Sequence, residues 1–202
     1  MVYSMSSVGL PQTRTLILEA ARALFEERGY YGAGLGAVAK TAGVSRQAIY
    51  LHFSSKAELL TALHLHIFAT DVVPFLERHP VTDEMTALDA LDAIVAVDVE
   101  VASRVWRIHE ALTVARRQYP EVEATLRPRE AERYEELLDL GRRLEREGVL
   151  PPDMAVGTFA DMLWGLMNIG TYMNLVNERS WSLDQYRRWV RDTIRLQIGA
   201  AT

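Results

Sequence analysis

Leu35-Gly-Ala-Val-Ala-Lys-Thr-Ala-Gly-Val-Ser-Arg-Gln-Ala-Ile-Tyr-Leu-His-Phe53 is the stretch that decides the fold of this chain. Leu35, Val38 and Ala39 recur at i, i+3 and i+4, so they share one helical face. Gly43 comes just after that face, where a residue without a Cβ can take the left-handed conformation that ends a helix. Ser45 then offers an oxygen to the free amides of a second helix. Val44 and Ile49 have the N′ and N4 spacing of a hydrophobic staple, and Ile49 and Phe53 continue the buried face. Arg46, Gln47 and Tyr50 fall on the open face. A short helix, a glycine turn and a second short helix with a polar front is the layout of a helix-turn-helix DNA reader.

The side chains suit that task. Arg46 can donate two hydrogen bonds to guanine O6 and N7, and Gln47 can bridge adenine N6 and N7. Ala48 is small enough to pack against a thymine methyl. Tyr50, His52 and Lys56 are candidate phosphate contacts, which set position and carry little sequence information. Ser55-Lys-Ala-Glu58 reads as a capping box that starts another helix, and its amides can also hold a phosphate. The pattern alone also admits an ordinary helical corner, with Tyr50 and Phe53 as core aromatics.

Further matches extend the pattern. Arg14, Ile17-Leu-Glu-Ala-Ala21, Leu24-Phe25 and Gly29-Tyr30 precede it. Val38-Ala39, Ala42-Gly-Val-Ser45, Ile49-Tyr50, His52-Phe53, Lys56 and Glu58-Leu-Leu60 run through and beyond it. In this order and spacing, residues 14–60 resemble the DNA-binding domain of the tetracycline-repressor-like (TetR) family of bacterial regulators. The resemblance covers about the first third of the chain. It implies three N-terminal helices, a fourth linking helix, and a larger helical domain that binds a small molecule and dimerises. It carries DNA contact onto Arg46, Gln47, Ala48, Tyr50, Leu51, His52 and Lys56. Two departures stand out. Ala33 and Gly34 occupy positions where the family often has Ser or Thr, which weakens the cap of the second helix. Gln47 stands where glycine is frequent, adding a side chain that can alter base preference.

Composition bounds the rest. The 202 residues suffice for one sizeable core or two small domains. Hydrophobic residues make up 49% and charged residues 24%, ordinary for a globular chain. With no cysteine, disulfides, thiolate metal sites and cysteine catalysis are excluded. Met1 to Gln12 lacks the basic-then-apolar pattern of a signal peptide, and no apolar run is expected to span a membrane, so a cytoplasmic bacterial protein is expected. The net charge of −5 is unevenly spread. Residues 1–60 hold six basic and four acidic side chains, and the remainder hold 16 and 23. The positive balance sits where DNA contact is expected.

The expected fold is all-α with about nine helices. Residues 11–57 form the helix-turn-helix domain, and 58–202 form the effector-binding and dimerisation domain. Helix 1 is predicted from Thr13 to Arg28 with Leu16, Ile17, Ala20, Leu24 and Phe25 inward. Helix 4 is predicted to run from Lys56 and stop before Pro74. Thr82 reads as the next helix start, with one helix to about Ala102 and another to Tyr119 before Pro120. A charged helix then closes at Gly148, and Asp153 caps the next. Residues 154–176 read as one helix that is apolar nearly all round and hence buried on every side. Ser182-Leu-Asp-Gln185 caps a final helix with Leu183, Tyr186, Val190 and Ile194 on its stripe. These last two helices are expected to form a four-helix interface in a homodimer, which would read a near-palindromic operator on double-stranded DNA.

The family resemblance implies a cavity in the C-terminal domain, for which Trp106, His109, Met162, Trp164, Met167, Asn168 and Tyr172 are candidate lining residues. They suit a moderately hydrophobic small-molecule effector. Asn168 among apolar neighbours needs a hydrogen-bond partner if buried. The function expected is a ligand-responsive regulator, by family default a repressor released from its operator by effector. An enzyme is the first rival. The glycines at 29, 32, 34 and 36 lack phosphate-loop spacing, and His64 and His66 point to different sides of a helix. No cofactor or metal is called for. The second rival is a helical small-molecule-binding or adaptor protein without DNA binding.

Overall fold

The computed structural model describes residues 10–200. The opening segment read for a leader therefore lies almost wholly outside the described residues, as do Ala201 and Thr202. The chain is all-α, with no strand among the described residues.

Helix α1 spans Leu10–Gly32, with a break at Gly29 (φ 65, ψ −175). The predicted stop at Gly29 is thus a kink, after which the helix resumes for a turn. Leu16, expected inward, is exposed, and Leu18 is buried instead. At 100° per residue, position 18 lies about 20° beyond the arc through Ile17, Ala21, Leu24 and Phe25, whereas position 16 lies about 80° beyond it. Helices α2 (Leu35–Ala42), α3 (Arg46–His52) and α4 (Lys56–Ile67) follow.

Pro74 does not stop the fourth helix. A π turn at Phe68–Val72 leads into α5 (Val73–Arg78), placing Pro74 in the first turn, where its missing N–H has no intrahelical partner to lose. The run Lys56–Arg78 is, by length and composition, apolar enough to cross a membrane, which the sequence reading had not anticipated. More than a third of its apolar window is buried inside the protein.

Residues 87–115 form a single helix, α6 (Ala87–Ala115), where two were expected. No glycine or proline interrupts the sequence from Thr86 to Ala115. Its start is Thr86, not Thr82: the Thr86 hydroxyl accepts from the Asp89 amide at 3.1 Å and donates to the Asp89 carboxylate at 2.7 Å. Helix α7 (Pro120–Arg146) ends before Gly148, which is left-handed (φ 69) as a helix terminator. Asp153 caps nothing here; Ala155 occupies the N-cap of α8 (Val156–Leu166). The expected single helix over 154–176 is broken. Asn168 caps a separate α9 (Ile169–Tyr172), which passes into a π turn at Met173–Glu178. Helix α10 (Leu183–Gln197) has the predicted Ser182 cap, accepting from the Gln185 amide at 3.1 Å.

Two compact units result. Among the described residues, one comprises 10–70 together with Arg107–Thr125; the other comprises Asp71–Trp106 and 126–200. The first takes in α4 and the end of α6. Its core includes Ile17, Leu18, Phe25, Val38, Ile49, Phe53, Leu59, Leu60 and Leu63. The second is built on Leu91, Val95, Leu137, Leu140, Phe159, Leu163, Tyr186, Val190 and Ile194. Gly141 allows close packing there, because a Cβ on it would meet Val156 Cγ1 at 3.0 Å and Phe159 Cδ1 at 3.1 Å.

Candidate nucleic-acid interface and ligand site

The turn between α2 and α3 is built from local hydrogen bonds. Gly43 takes the left-handed conformation (φ 68), and the Val44 amide donates back to the Ala39 carbonyl at 3.0 Å. The Ser45 hydroxyl accepts from the Ala48 amide at 3.0 Å, a cap that contributes about 1 kcal/mol. Gly34 caps α2 without a side-chain bond, as its sequence implied. A Cβ there would meet nothing within 4 Å, and its backbone is extended, so glycine is not sterically required.

Helix α3 lies on Ile49 and Phe53, both buried. The guanidinium of Arg14 on α1 lies 5.2 Å from the Phe53 ring centre. Sequence reasoning overlooked this brace, although Arg14 belongs to the matched pattern. The opposite face is open. Arg46 and Gln47 are exposed, Ala48 is half-buried, Tyr50 is 50% exposed and Leu51 is 74% exposed. His52 is half-buried. The first three side chains are thus presented together with Tyr50 and Leu51 from one short capped helix.

Lys56 is placed differently. Its ammonium donates to the Tyr30 carbonyl oxygen and lies 4.2 Å from the Tyr30 ring centre. Burial lowers its pKa. Lys56 therefore ties the start of α4 to the end of α1, besides any contact with phosphate. The capping box is also shifted by one residue. Ser55 accepts from the Glu58 amide at 3.0 Å, but the Glu58 carboxylate accepts from the Ser54 amide at 2.7 Å and hydroxyl at 2.5 Å. Those bonds hold the Glu58 carboxyl below the usual range.

Residues 107–125 add to this unit. Arg107 donates to the Glu26 carbonyl at 2.9 Å, and Gln118 donates to the Tyr31 hydroxyl at 3.3 Å. Tyr30 and Tyr119 meet edge-to-face at 6.4 Å. Burial and the hydrogen bond to Tyr119 push the Tyr30 phenol far above its ordinary range.

The candidate ligand residues are only partly gathered. Met167 and Tyr172 belong to the core of the second unit, with Trp106, Met162 and Trp164 packed against it. His109 belongs to the first unit and is half-buried. Asn168 finds its partners in the protein. Its Oδ1 accepts from the Thr171 amide at 2.9 Å, and its Nδ2 donates to the Gly165 carbonyl at 2.5 Å and the Thr171 hydroxyl at 3.1 Å. The amide is thus engaged in the break between α8 and α9. The ion pair of Asp98 with Arg133 was missed. Asp98 and Glu100 interrupt the aliphatic run from Ile94 to Val101, and a carboxylate among aliphatics was the signal available. No group of three His, Asp or Glu able to hold a metal occurs among the described residues.

Comparison with known proteins bears on this geometry. Residues 17–63 match the family model described as bacterial regulatory proteins, tetR family. The chain is 26% identical over 174 residues to the HTH-type transcriptional regulator UidR of Escherichia coli (strain K12), covering 84% of this chain and 87% of the relative. It is 36% identical over 103 residues to the HTH-type transcriptional regulator TtgR of Pseudomonas putida, covering 50% and 49%. In fold it is similar to a transcriptional regulator from Saccharomonospora viridis solved in complex with choline. That match has a TM-score of 0.76 and 21% identity, covering 92% of this chain and 96% of the other.

Proposed function

We propose, given that the chain belongs to the tetR family of bacterial regulatory proteins, that this DNA-binding transcriptional regulator is a cytoplasmic repressor released from its operator by a small-molecule effector. The observation that carries the reading is the face of α3. Arg46, Gln47 and Tyr50 project from a helix capped by Ser45 and seated on buried Ile49 and Phe53. Arg46 and Gln47 read base edges in the major groove, with Ala48 against a thymine methyl. Tyr50, Leu51, His52 and Lys56 complete the contact and set position.

In this reading residues 11–57 are the DNA-binding domain, and 58–202 bind effector and dimerise through the last two helices. A two-fold dimer presents α3 twice and so reads a near-palindrome with half-sites about 34 Å, or a multiple, apart. Trp106, His109, Met162, Trp164, Met167, Asn168 and Tyr172 are the effector-site candidates. The packing of Trp106, Met162, Trp164, Met167 and Tyr172 in or against one core cluster supports weighting these residues above His109. The effector shifts operator affinity only by its preference for the non-binding form. We read the chain as a regulator and not an enzyme.

Binding to fragments of its own upstream DNA, followed by an operator library, tests this. Arg46→Ala is expected to relax discrimination at one base pair per half-site by roughly 1–3 kcal/mol. Lys56→Ala is expected to weaken all sites alike, and also to lower stability by about 1 kcal/mol through loss of the Tyr30 contact. No preference for any genomic fragment over random duplex would overturn the DNA-binding reading.

A further inference from the structure

Leu51 is an apolar side chain on a helix face otherwise fitted for polar contact. It is 74% exposed, the most of any large hydrophobic side chain among the described residues. Single exposed leucines are common on protein surfaces, so exposure alone says little. The place of Leu51 on α3 says more. At about 100° per residue, it lies about 200° around the axis from both Ile49 and Phe53. Those two residues are buried and seat the helix, so Leu51 points away from the seat, at the centre of the open face. Gln47 precedes it by four residues and Ala48 by three, and both share its side of the helix.

Chemistry narrows what this side chain meets on DNA. Setting position on phosphate takes a hydrogen-bond donor or a positive charge, and leucine has neither. In the major groove the apolar group that a base presents is the thymine 5-methyl. Ala48 also suits a methyl, but it is short and half-buried, so Leu51 reaches further from the helix axis. Gln47 suits adenine N6 and N7. A rise of about 1.5 Å per residue separates Gln47 from Leu51 by about 6 Å along α3, less than two base-pair rises of about 3.4 Å. The amide and the apolar group therefore address neighbouring base pairs.

We propose that Leu51 is a specificity-determining residue that packs on the 5-methyl of a thymine within two base pairs of the adenine taken by Gln47. This rests on the DNA-binding reading above and gives Leu51 a base-reading role in place of a positioning one. The contact covers apolar surface on both partners and uses no hydrogen bond. Since the side chain lies in water in the unbound protein, its removal leaves the seat of α3 on Ile49 and Phe53 intact.

The test uses the full chain and duplexes that it selects from a random library. Each thymine of a selected duplex is replaced in turn by deoxyuridine, which removes the 5-methyl and keeps the base pair. Binding is followed by fluorescence anisotropy at fixed salt. At one thymine per half-site, the replacement is expected to weaken the unmodified chain about fourfold, the effect of withdrawing one methyl from apolar contact. Leu51→Ala should lose that penalty at the same thymine and keep any penalty at the others, while Leu51→Met should retain it. If Leu51→Ala does not fold by circular dichroism, Leu51→Gln is read in the same way. Three results overturn the proposal. The unmodified chain is indifferent to deoxyuridine throughout; Leu51→Ala keeps the full penalty at every position; or Leu51→Ala weakens thymine and deoxyuridine duplexes alike, which assigns Leu51 to the sugar-phosphate backbone. Each of these, obtained on selected duplexes, leaves the DNA-binding reading intact. Failure to select any duplex removes that reading and this proposal with it.

Discussion

Residues 43–53 and residues 154–178 make a useful pair. Both contain a helix broken and restarted under a polar cap. In the first, Gly43 and Ser45 announce the break, and the structure follows them. In the second, an apolar run reads as one helix, and the structure breaks it at Asn168. The caps are chemically alike: Ser45 accepts an amide hydrogen bond three residues on, and so does Asn168. What differs is the surroundings. A turn at Gly43 is cheap in isolation, because glycine tolerates the left-handed region. The turn at Met167 has no such residue and depends on tertiary contacts. Met167 is buried, and the Tyr186 hydroxyl donates to the Leu166 carbonyl at 2.6 Å. A local break is written in its own residues; a packed break is written in its neighbours.

The comparison can be broken or sharpened by substitution. The largest effect is expected in the two cores. Phe159→Ala should cost about 3–5 kcal/mol and Ile49→Ala about 2–5 kcal/mol in urea unfolding. If the units unfold independently, each substitution should shift one transition and spare the other; a single shared transition would show that they are coupled. Next comes Asn168→Ala, which removes the cap and leaves the Thr171 amide without its partner. A loss of about 1 kcal/mol is expected. If instead helix content rises and stability holds, the break was imposed by the cap alone. The smallest effect is at Gly34→Ser. Open space around its Cβ position and an extended backbone let serine supply the missing cap, for a gain of a few tenths of a kcal/mol. Thermal unfolding would measure it, and a loss in stability would mean the start of α2 is held by something other than its cap.

Legibility followed the same line. The reader was legible because glycine, serine and the i, i+4 apolar spacing act within one or two turns. Ser182 was legible for the same reason. The start of α6 was misplaced because Thr82 and Thr86 both precede acids, and only Arg143 and Glu147 decide between them. Arg143 bonds the Thr82 carbonyl at 3.1 Å and the Asp83 carbonyl at 3.0 Å, while Glu147 accepts from the Ala87 amide at 2.8 Å. The inward turn of Lys56 was hidden too, since its partner Tyr30 is distant in sequence. The Asp98–Arg133 ion pair spans α6 and α7, and neither helix carries a signal for the other.

By itself the sequence determined an all-helical chain with a capped reading helix and a polar front of Arg46, Gln47 and Tyr50, because caps and helical periodicity are short-range. Only the tertiary structure decided where the apolar C-terminal run breaks, which way Lys56 points, and that Asp98 meets Arg133 over Trp164. Those outcomes depend on burial and on partners brought together across long stretches of chain, and no local pattern of residues encodes which partner will arrive.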